Sequence, residues 1–117
     1  MKKKYLIVTG GAGFIGSNLI KSLIKFKNFN IISLDNYSSG NKNNHIKHKR
    51  IKYIKGETKN INQILQSYKN SINAIFHFGE FSRIYQSFER FDICFKSNTI
   101  GSHEVFKFCL KNNIKLI

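Results

Sequence analysis

YLIVTGGAGFIG, residues 5–16, is the stretch that decides how this sequence is interpreted. It opens with YLIVT, a continuous apolar run rich in β-formers, which predicts a strand covered on both faces. Beyond the glycines, apolar residues recur at three- and four-residue spacing from Phe14 to Ile24, which predicts an amphipathic helix. The stretch therefore predicts a strand, a glycine turn and a helix in succession.

The glycines Gly10, Gly13 and Gly16 follow the predicted strand at three-residue spacing, with Gly11 beside the first of them. Glycine suits this place for three reasons: a tight turn out of the strand, close approach of the backbone to a pyrophosphate, and close packing of the helix on the sheet. The start of the helix adds unpaired N–H groups and a positive dipole. Because a strand precedes the pattern and a helix follows it, the pattern predicts a dinucleotide site.

Asp35 is the second element of this predicted site. It ends the second apolar run, Ile31–Leu34, and lies 19 residues beyond Gly16. An acid about 20 residues after the glycines is expected to accept hydrogen bonds from an adenosine ribose. Since a carboxylate repels a 2′-phosphate, the cofactor predicted here is NAD rather than NADP.

The rest of the chain continues to alternate between strand-like and helix-like segments. Asn60 is predicted to cap a short helix, and a long helix is predicted within residues 92–111. Further apolar runs predict strands at residues 51–54, 74–78 and 114–117. This alternation predicts an α/β fold of the Rossmann type, a doubly wound parallel sheet. Because the chain stops inside the fifth run, we expect residues 1–117 to be the N-terminal part of a longer NAD-binding domain, without its catalytic and substrate-binding portion.

Acidic residues are scarce, with six Asp and Glu against 20 Lys and Arg. Three of the six, Asp35, Glu57 and Glu80, come just after the second, third and fourth predicted strands. In an open α/β sheet the ligand crevice forms at the carboxyl ends of the strands. For Glu57 and Glu80 two interpretations stay open, a role in the crevice or an ordinary loop charge.

The formal charge of +14 suggests a competing interpretation, a polyanion- or nucleic-acid-binding module. However, the basic residues comprise 17 Lys and only three Arg in a chain also rich in Asn, Ile and Phe, as an AT-rich gene would produce. Arginine recognises phosphate and guanine better than lysine does, because its guanidinium group can donate two hydrogen bonds to them at once. We therefore expect a solvated surface and no nucleic-acid partner. The competing module would use Lys42, Lys47, Lys49, Arg50, Lys52, Lys55 and Lys59.

Other common sites and signals are not expected. Cys94 and Cys109 have no second ligand at metal spacing, so no metal site is predicted. The N-terminal apolar run is too short for a secretion signal, and no run is long enough to cross a membrane. We expect a cytoplasmic protein. His77 is expected to be a strand histidine whose polar atoms are satisfied by backbone, with no catalytic role.

Three segments carry a resemblance to a known family: TGGAGFIGSNL from Thr9, LDNYSSG from Leu34 and HFGEFSRIYQSFE from His77. They resemble the extended short-chain dehydrogenase/reductase family, specifically its NAD-dependent nucleotide-sugar epimerases and dehydratases of the UDP-glucose 4-epimerase type. The resemblance covers nearly the whole chain. It implies NAD as cofactor, a nucleotide-sugar substrate such as a UDP-sugar, isomerase-type chemistry and a homodimeric complete protein.

The resemblance also implies a cofactor site, residue by residue. The positions fall into five groups, for the pyrophosphate, the adenosine ribose, the adenine, the nicotinamide side and a helix that steadies the cofactor. The pyrophosphate group is Gly10, Gly13, Phe14, Ile15 and Gly16, and the ribose group is Asp35, Asn36, Ser38, Ser39 and Gly40. The adenine group is Glu57 and Thr58, and the nicotinamide group is Phe78, Gly79 and Glu80. The residue on the steadying helix is Asn98. Glu57 and Glu80 depart from the family's usual residues, which are Asp and a small residue respectively.

Catalysis in the family requires a Tyr-x-x-x-Lys pair and a Ser or Thr, with the lysine lowering the pKa of the tyrosine. None of the five tyrosines in this chain is followed by lysine four positions later. We therefore assign no catalytic residue within the 117 residues and expect the chain alone to be inactive. A non-catalytic, NAD-binding regulatory protein of the same fold is the alternative.

Overall fold

A computed structural model describes residues 4–80 and 84–117. Within these residues the chain forms a five-stranded parallel sheet in the order β3-β2-β1-β4-β5. The strands are β1 (Tyr5–Thr9), β2 (Asn30–Asp35), β3 (Ile51–Lys55), β4 (Ile72–His77) and β5 (Lys115–Leu116). Each predicted strand is present, with its bounds shifted by two residues at most, and the predicted parallel α/β sheet is confirmed.

The helices connect these strands. They are α1 (Phe14–Leu23), α2 (Ile61–Ile64), α3 (Ile84–Glu89), α4 (Phe91–Phe95) and α5 (Ser102–Lys111). The long helix predicted within residues 92–111 is interrupted, because a π-helical segment, Lys96–Gly101, joins α4 to α5. None of the helices in the described part of the chain is long and apolar enough to cross a membrane.

The capping prediction for Asn60 is wrong in detail. Asn60 stands at the start of α2, but its side chain accepts no capping hydrogen bond. Residues 58–60 already form a 3₁₀ turn, and Asn60 has φ −102° and ψ 15° instead of the extended conformation usual for a capping residue. The chain therefore enters α2 from a turn that is already helical.

Both faces of the sheet are buried, as expected for a doubly wound fold. Along β1 the side chain of Ile7 packs toward α2 and α5, whereas those of Leu6 and Val8 pack toward α1. The chain builds β2 and β3 on one side of β1 and then crosses back to place β4 on the other side. At such a switch point the connections after neighbouring strands diverge, which opens a crevice at the carboxyl ends of β1 and β4.

Candidate functional site

The turn after β1 is packed tightly against its surroundings. Gly10 has φ +72°, in the left-handed region that favours glycine, and a Cβ added there would lie 2.6 Å from the carbonyl oxygen of Phe78. A Cβ added at Gly16 would overlap the carbonyl oxygen of Gly10. These two glycines therefore hold the turn against the segment after β4 and against the first turn of α1.

Gly13 differs from its neighbours. Its φ of −82° and ψ of 179° are open to any residue, and an added Cβ would approach one atom, the carbonyl oxygen of Gly10, at 3.3 Å. A side chain here would therefore be tight against one backbone atom but would not be excluded, in contrast to Gly10 and Gly16. Gly13 lines a cleft at the start of α1, where no side chain caps the helix and no acid lies in its first turn. The N–H groups of this helix end are thus available to an anion.

The carboxylate of Asp35 is held in place by two backbone groups. Oδ2 accepts a hydrogen bond from the N–H of Ala12 at 3.0 Å, and Oδ1 accepts one from the N–H of Tyr37 at 2.8 Å. Tyr37 has φ 61°, an uncommon value for a residue other than glycine. Gly40 packs behind the carboxylate, since an added Cβ there would lie 2.8 Å from Oδ2. The side chain is therefore preset at the rim of the cleft.

Aromatic contacts anchor the loop that follows Asp35. The hydroxyl of Tyr37 lies 2.8 Å from Nε2 of His45, and the ring of His45 stacks on that of Tyr53 with centroids 3.7 Å apart. Tyr53 in turn accepts a hydrogen bond from the N–H of Ile46 at 2.8 Å. These contacts tie the loop to β3. Sequence reasoning missed them, because no local pattern pairs these residues.

The cleft has a volume of about 450 Å³, which is within the usual size range of ligand pockets. Of the sixteen predicted cofactor residues, all except Gly40 and Asn98 line it. Gly40 lies behind Asp35, and the side-chain amide of Asn98 donates to Sγ of Cys94 at 3.5 Å. The lining also includes six residues that were not predicted to belong to the cofactor site: Leu34, Gly56, Lys59, His77, Lys96 and Ser97. Most of these adjoin predicted site residues along the chain.

The floor of the cleft is built around Thr58, which is buried. A Cβ added at Gly101 would overlap Oγ1 of Thr58, and one at Gly79 would lie 3.2 Å from its methyl group. The π-helical segment can thus approach the end of β3 only because residue 101 is glycine. Glu57, beside Thr58, forms an ion pair with Lys59 at 3.2 Å.

A chain of polar side chains crosses the other end of the cleft. Oγ1 of Thr9 lies 2.7 Å from Nδ1 of His77, and Nε2 of His77 lies 3.0 Å from Oγ of Ser102. Ser102 donates to Oε1 of Glu80 at 2.7 Å. The expectation that backbone groups satisfy His77 is therefore wrong, because its two ring nitrogens meet side chains from β1 and α5.

The direction of these hydrogen bonds determines the tautomer of His77. Because Ser102 gives its proton to a carboxylate, its oxygen accepts from Nε2–H of His77. Nδ1 then accepts from Thr9, whose oxygen accepts the N–H of Gly79 at 2.9 Å. This network therefore places the proton of the neutral ring on Nε2. Burial lowers the pKa of His77, and the nearby Glu80 carboxylate opposes that effect only in part.

We expect the free energy of unfolding to fall as the pH is lowered below the usual histidine value near 6.5. The pKa of His77 is lower in the folded chain than in the unfolded chain, so the unfolded chain binds the proton at a higher pH. Stability is therefore lost as the pH falls from about 6.5 toward the pKa of His77 in the folded chain. Urea unfolding at a series of pH values measures the effect. His77→Gln should reduce the dependence, whereas His103→Gln, at an exposed position, should retain it. An identical pH profile in all three proteins would contradict the assignment.

Among the described residues, no cluster of three or more His, Cys, Asp or Glu side chains is suited to a metal ion. The polar groups around the cleft instead include backbone N–H donors, the preset carboxylate of Asp35 as an acceptor, and small polar side chains. Uncharged N–H donors suit a pyrophosphate, and a carboxylate acceptor suits ribose hydroxyls. The residues present therefore fit a dinucleotide.

A model of the NAD-dependent epimerase/dehydratase family matches residues 6–117. The chain belongs to this family. The resemblance found in the sequence is thus confirmed, and NAD is the cofactor of the family. The cleft just described lies at the carboxyl ends of the strands, where Rossmann-type folds bind dinucleotides.

Several members of the epimerase/dehydratase family are similar to the chain. The ADP-L-glycero-D-manno-heptose-6-epimerase of Brachyspira hyodysenteriae is 31% identical over 95% of the chain and 35% of its own length. A solved epimerase of Methanothermobacter thermautotrophicus has a TM-score of 0.84 at 27% identity, over 97% of this chain and 33% of that one. The UDP-N-acetylglucosamine 4-epimerase of Methanobrevibacter ruminantium, solved with UDP-N-acetylmuramic acid, has a TM-score of 0.82 at 30% identity, over 99% and 37%. The chain thus spans about a third of the length of these relatives.

Proposed function

We propose that the cleft binds NAD and that the chain is the cofactor-binding portion of a nucleotide-sugar epimerase or dehydratase. The observation that carries the proposal is Gly13, which has a conformation open to any residue, little packing against it and an uncapped helix start beside it. The space left by the missing side chain is where a pyrophosphate would approach the backbone. When bound, NAD would supply a hydride acceptor for the sugar.

Each part of the cleft then has a proposed role. The preset carboxylate of Asp35 would accept the hydroxyl protons of the adenosine ribose, with Asn36 and the turn 38–40 beside it. Glu57 and Thr58 would flank the adenine. The turn after β4, Phe78–Glu80, would face the nicotinamide half. Asn98 would act indirectly, by steadying the helical segment beside the cleft, since it does not line the cleft itself.

We further propose that this chain alone does not turn over a nucleotide sugar. In support, no tyrosine of the chain is followed by lysine four positions later, and the chain spans about a third of the length of its relatives. The Tyr-x-x-x-Lys pair and the residues that grip the sugar would then lie beyond Ile117. Turnover of UDP-sugars by the purified 117-residue chain with NAD would contradict this part of the proposal.

For the complete protein we propose a homodimer in the cytoplasm. The segment from α4 to α5 exposes a set of large apolar side chains: Phe91, Phe95, Ile100, Phe106 and Leu110. Apolar side chains grouped along one segment in this way are typical of an interface. Cys94 and Cys109 are both free thiols, which agrees with a reducing compartment. Analytical sedimentation of the complete protein would measure its mass and so test whether it is a dimer.

The polyanion-binding alternative is less favoured, because several of its basic residues already have partners within the chain. The guanidinium of Arg50 donates to the carbonyl oxygens of Ile24 and Phe29, both at 2.6 Å, and so ties the end of α1 to the start of β3. Lys52 donates to the hydroxyl of Tyr68, and Lys59 pairs with Glu57. Binding to random-sequence DNA that weakens with salt and is not displaced by NAD would favour the alternative.

Gly13→Val tests the cofactor site directly. We expect it to weaken NAD binding at least tenfold, because the new side chain fills the space assigned to the pyrophosphate, a loss of about 1.4 kcal/mol or more. Titration calorimetry measures the affinity. Ser22→Val introduces the same residue at the exposed far end of α1 and should leave the affinity unchanged. Full NAD affinity in Gly13→Val would contradict the site.

A further inference from the structure

The cleft gives a bound dinucleotide a direction. Asp35 ends β2 on one side of β1, and the glycine turn follows β1 itself. A dinucleotide with its adenosine ribose at Asp35 and its pyrophosphate at the start of α1 extends toward the opposite side of β1, where β4 ends. Its second nucleoside therefore lies over the turn that carries Glu80.

Glu80 places a carboxylate at that end of the cleft. Glu80 lines the cleft, and its side chain is 47% exposed. The carboxylate is nevertheless held in position, because Oε1 accepts a hydrogen bond from the hydroxyl of Ser102 at 2.7 Å. Ser102 is itself buried at the start of α5. The sheet and α5 thus hold the charge at one place.

Among the residues that the structure describes, the side chains in contact with the Glu80 carboxylate do not neutralise its charge. His77, whose Nε2 lies 3.8 Å from Oε1 of Glu80, carries no charge near neutral pH, because burial lowers its pKa below the usual value. Thr9 and Ser102 are uncharged. Among the described residues, the lysines that line the cleft are Lys59, which pairs with Glu57, and Lys96, which is exposed to solvent and so acts through a higher effective dielectric constant.

We propose that Glu80 biases the redox state of the bound cofactor, favouring NAD⁺ over NADH. The oxidised nicotinamide ring carries a positive charge that the reduced ring lacks, whereas the rest of the dinucleotide is the same in both. A fixed carboxylate beside the ring therefore stabilises the oxidised form selectively. The inference rests on the proposed function, since it requires the dinucleotide to occupy the cleft in the direction given.

The test compares two affinities in one protein. In the 117-residue chain, Glu80→Gln removes the charge and keeps the shape, and we expect the ratio of the dissociation constants for NAD⁺ and NADH to rise about fivefold. For a two-electron couple this corresponds to an increase of about 20 mV in the midpoint potential of the bound cofactor. Calorimetry for NAD⁺ and nicotinamide fluorescence for NADH give the two constants. Because both ligands bind the same folded molecules, partial unfolding of the variant cancels in the ratio.

Two variants make the outcome specific. Glu80→Asp keeps the charge and should keep the wild-type ratio to within about twofold. Asp92→Asn removes a carboxylate at an exposed position outside the cleft, so it should leave both affinities and their ratio unchanged. If both dinucleotides bind and Glu80→Gln leaves the ratio at the wild-type value, the inference is overturned and the proposed function stands. If neither dinucleotide binds the wild-type chain, both fail.

Discussion

Gly16→Ala is expected to destabilise the folded chain by about 3 kcal/mol or more, at the upper end of what overpacking a core usually costs. The added methyl group would overlap the carbonyl oxygen of Gly10 and lie 2.9 Å from Cα of Gly11. These are backbone atoms of the turn, so no change of side-chain rotamer relieves the contact. Because domains are stable by only about 5–15 kcal/mol, a large share of the stability is lost. Urea unfolding followed by circular dichroism measures the change.

Gly13→Ala is the matched control for Gly16→Ala. It adds the same methyl group three residues earlier in the same turn, where its one close neighbour is the carbonyl oxygen of Gly10 at 3.3 Å. We expect its unfolding midpoint to fall much less than that of Gly16→Ala, because it has one tight contact and loses only the preference for glycine at a helix N-cap. Equal midpoints for Gly16→Ala and the wild type would show that the turn can open to accept a side chain, contrary to the packing described here.

Asp35→Asn is expected to weaken NAD binding about thirtyfold, or about 2 kcal/mol, the usual contribution of hydrogen bonds to a charged group. The two carboxylate oxygens now accept from the N–H groups of Ala12 and Tyr37. An amide cannot accept at both places, since its NH₂ group would face one of these donors. The rim of the cleft and the ribose contact are therefore disturbed together. Calorimetric titration with NAD gives the affinity.

Selectivity gives a second measurement on the same variant. Because the carboxylate of Asp35 repels a 2′-phosphate, Asp35→Asn should lose more affinity for NAD than for NADP. Asp92→Asn makes the same chemical change at an exposed position in the first turn of α4 and should leave both affinities at wild-type values. Parallel losses of NAD and NADP affinity in Asp35→Asn would refute the role assigned to the charge.

The elements that the sequence predicted well are those specified by local patterns. The predicted bounds of β1 agree with the structure, because YLIVT is a short apolar run closed by glycine. Asp35 could be singled out because the interval between Gly16 and the end of β2 follows from the length of one helix and one turn. In both cases the information lies within a few tens of consecutive residues.

The polar chain from Thr9 to Glu80 could not be predicted in this way. Thr9 and His77 are 68 positions apart, and His77 and Ser102 are 25 apart. These side chains meet only because the parallel sheet places β1 beside β4 and α5 packs across them. No single segment shows a pattern for such a contact. Without knowledge of distant side chains, backbone partners were the natural prediction for a histidine in a strand.

The π-helical segment was missed for a related reason. The apolar periodicity of residues 92–111 suits a continuous helix, and nothing in the local sequence reports the extra residue in the turn at Lys96–Gly101. In the structure this segment lies against Thr58, with Gly101 at the point of contact. Glycine is needed at position 101 because of a contact with Thr58, which is distant in sequence, so the local sequence does not reveal it.

The two ends of the cleft therefore differ in how they are assembled. The end at Asp35 is made within residues 9–40, where backbone N–H groups of the two loops after β1 and β2 hold the carboxylate. The end at Glu80 is complete only when α5 is docked, because Ser102 supplies the hydrogen bond to the carboxylate. Transient undocking of α5 would free Glu80 while Asp35 stays in place. Amide hydrogen exchange would then be slower at Ala12 and Tyr37 than at Ser102. The redox bias proposed for Glu80 would therefore be lost whenever α5 opens locally.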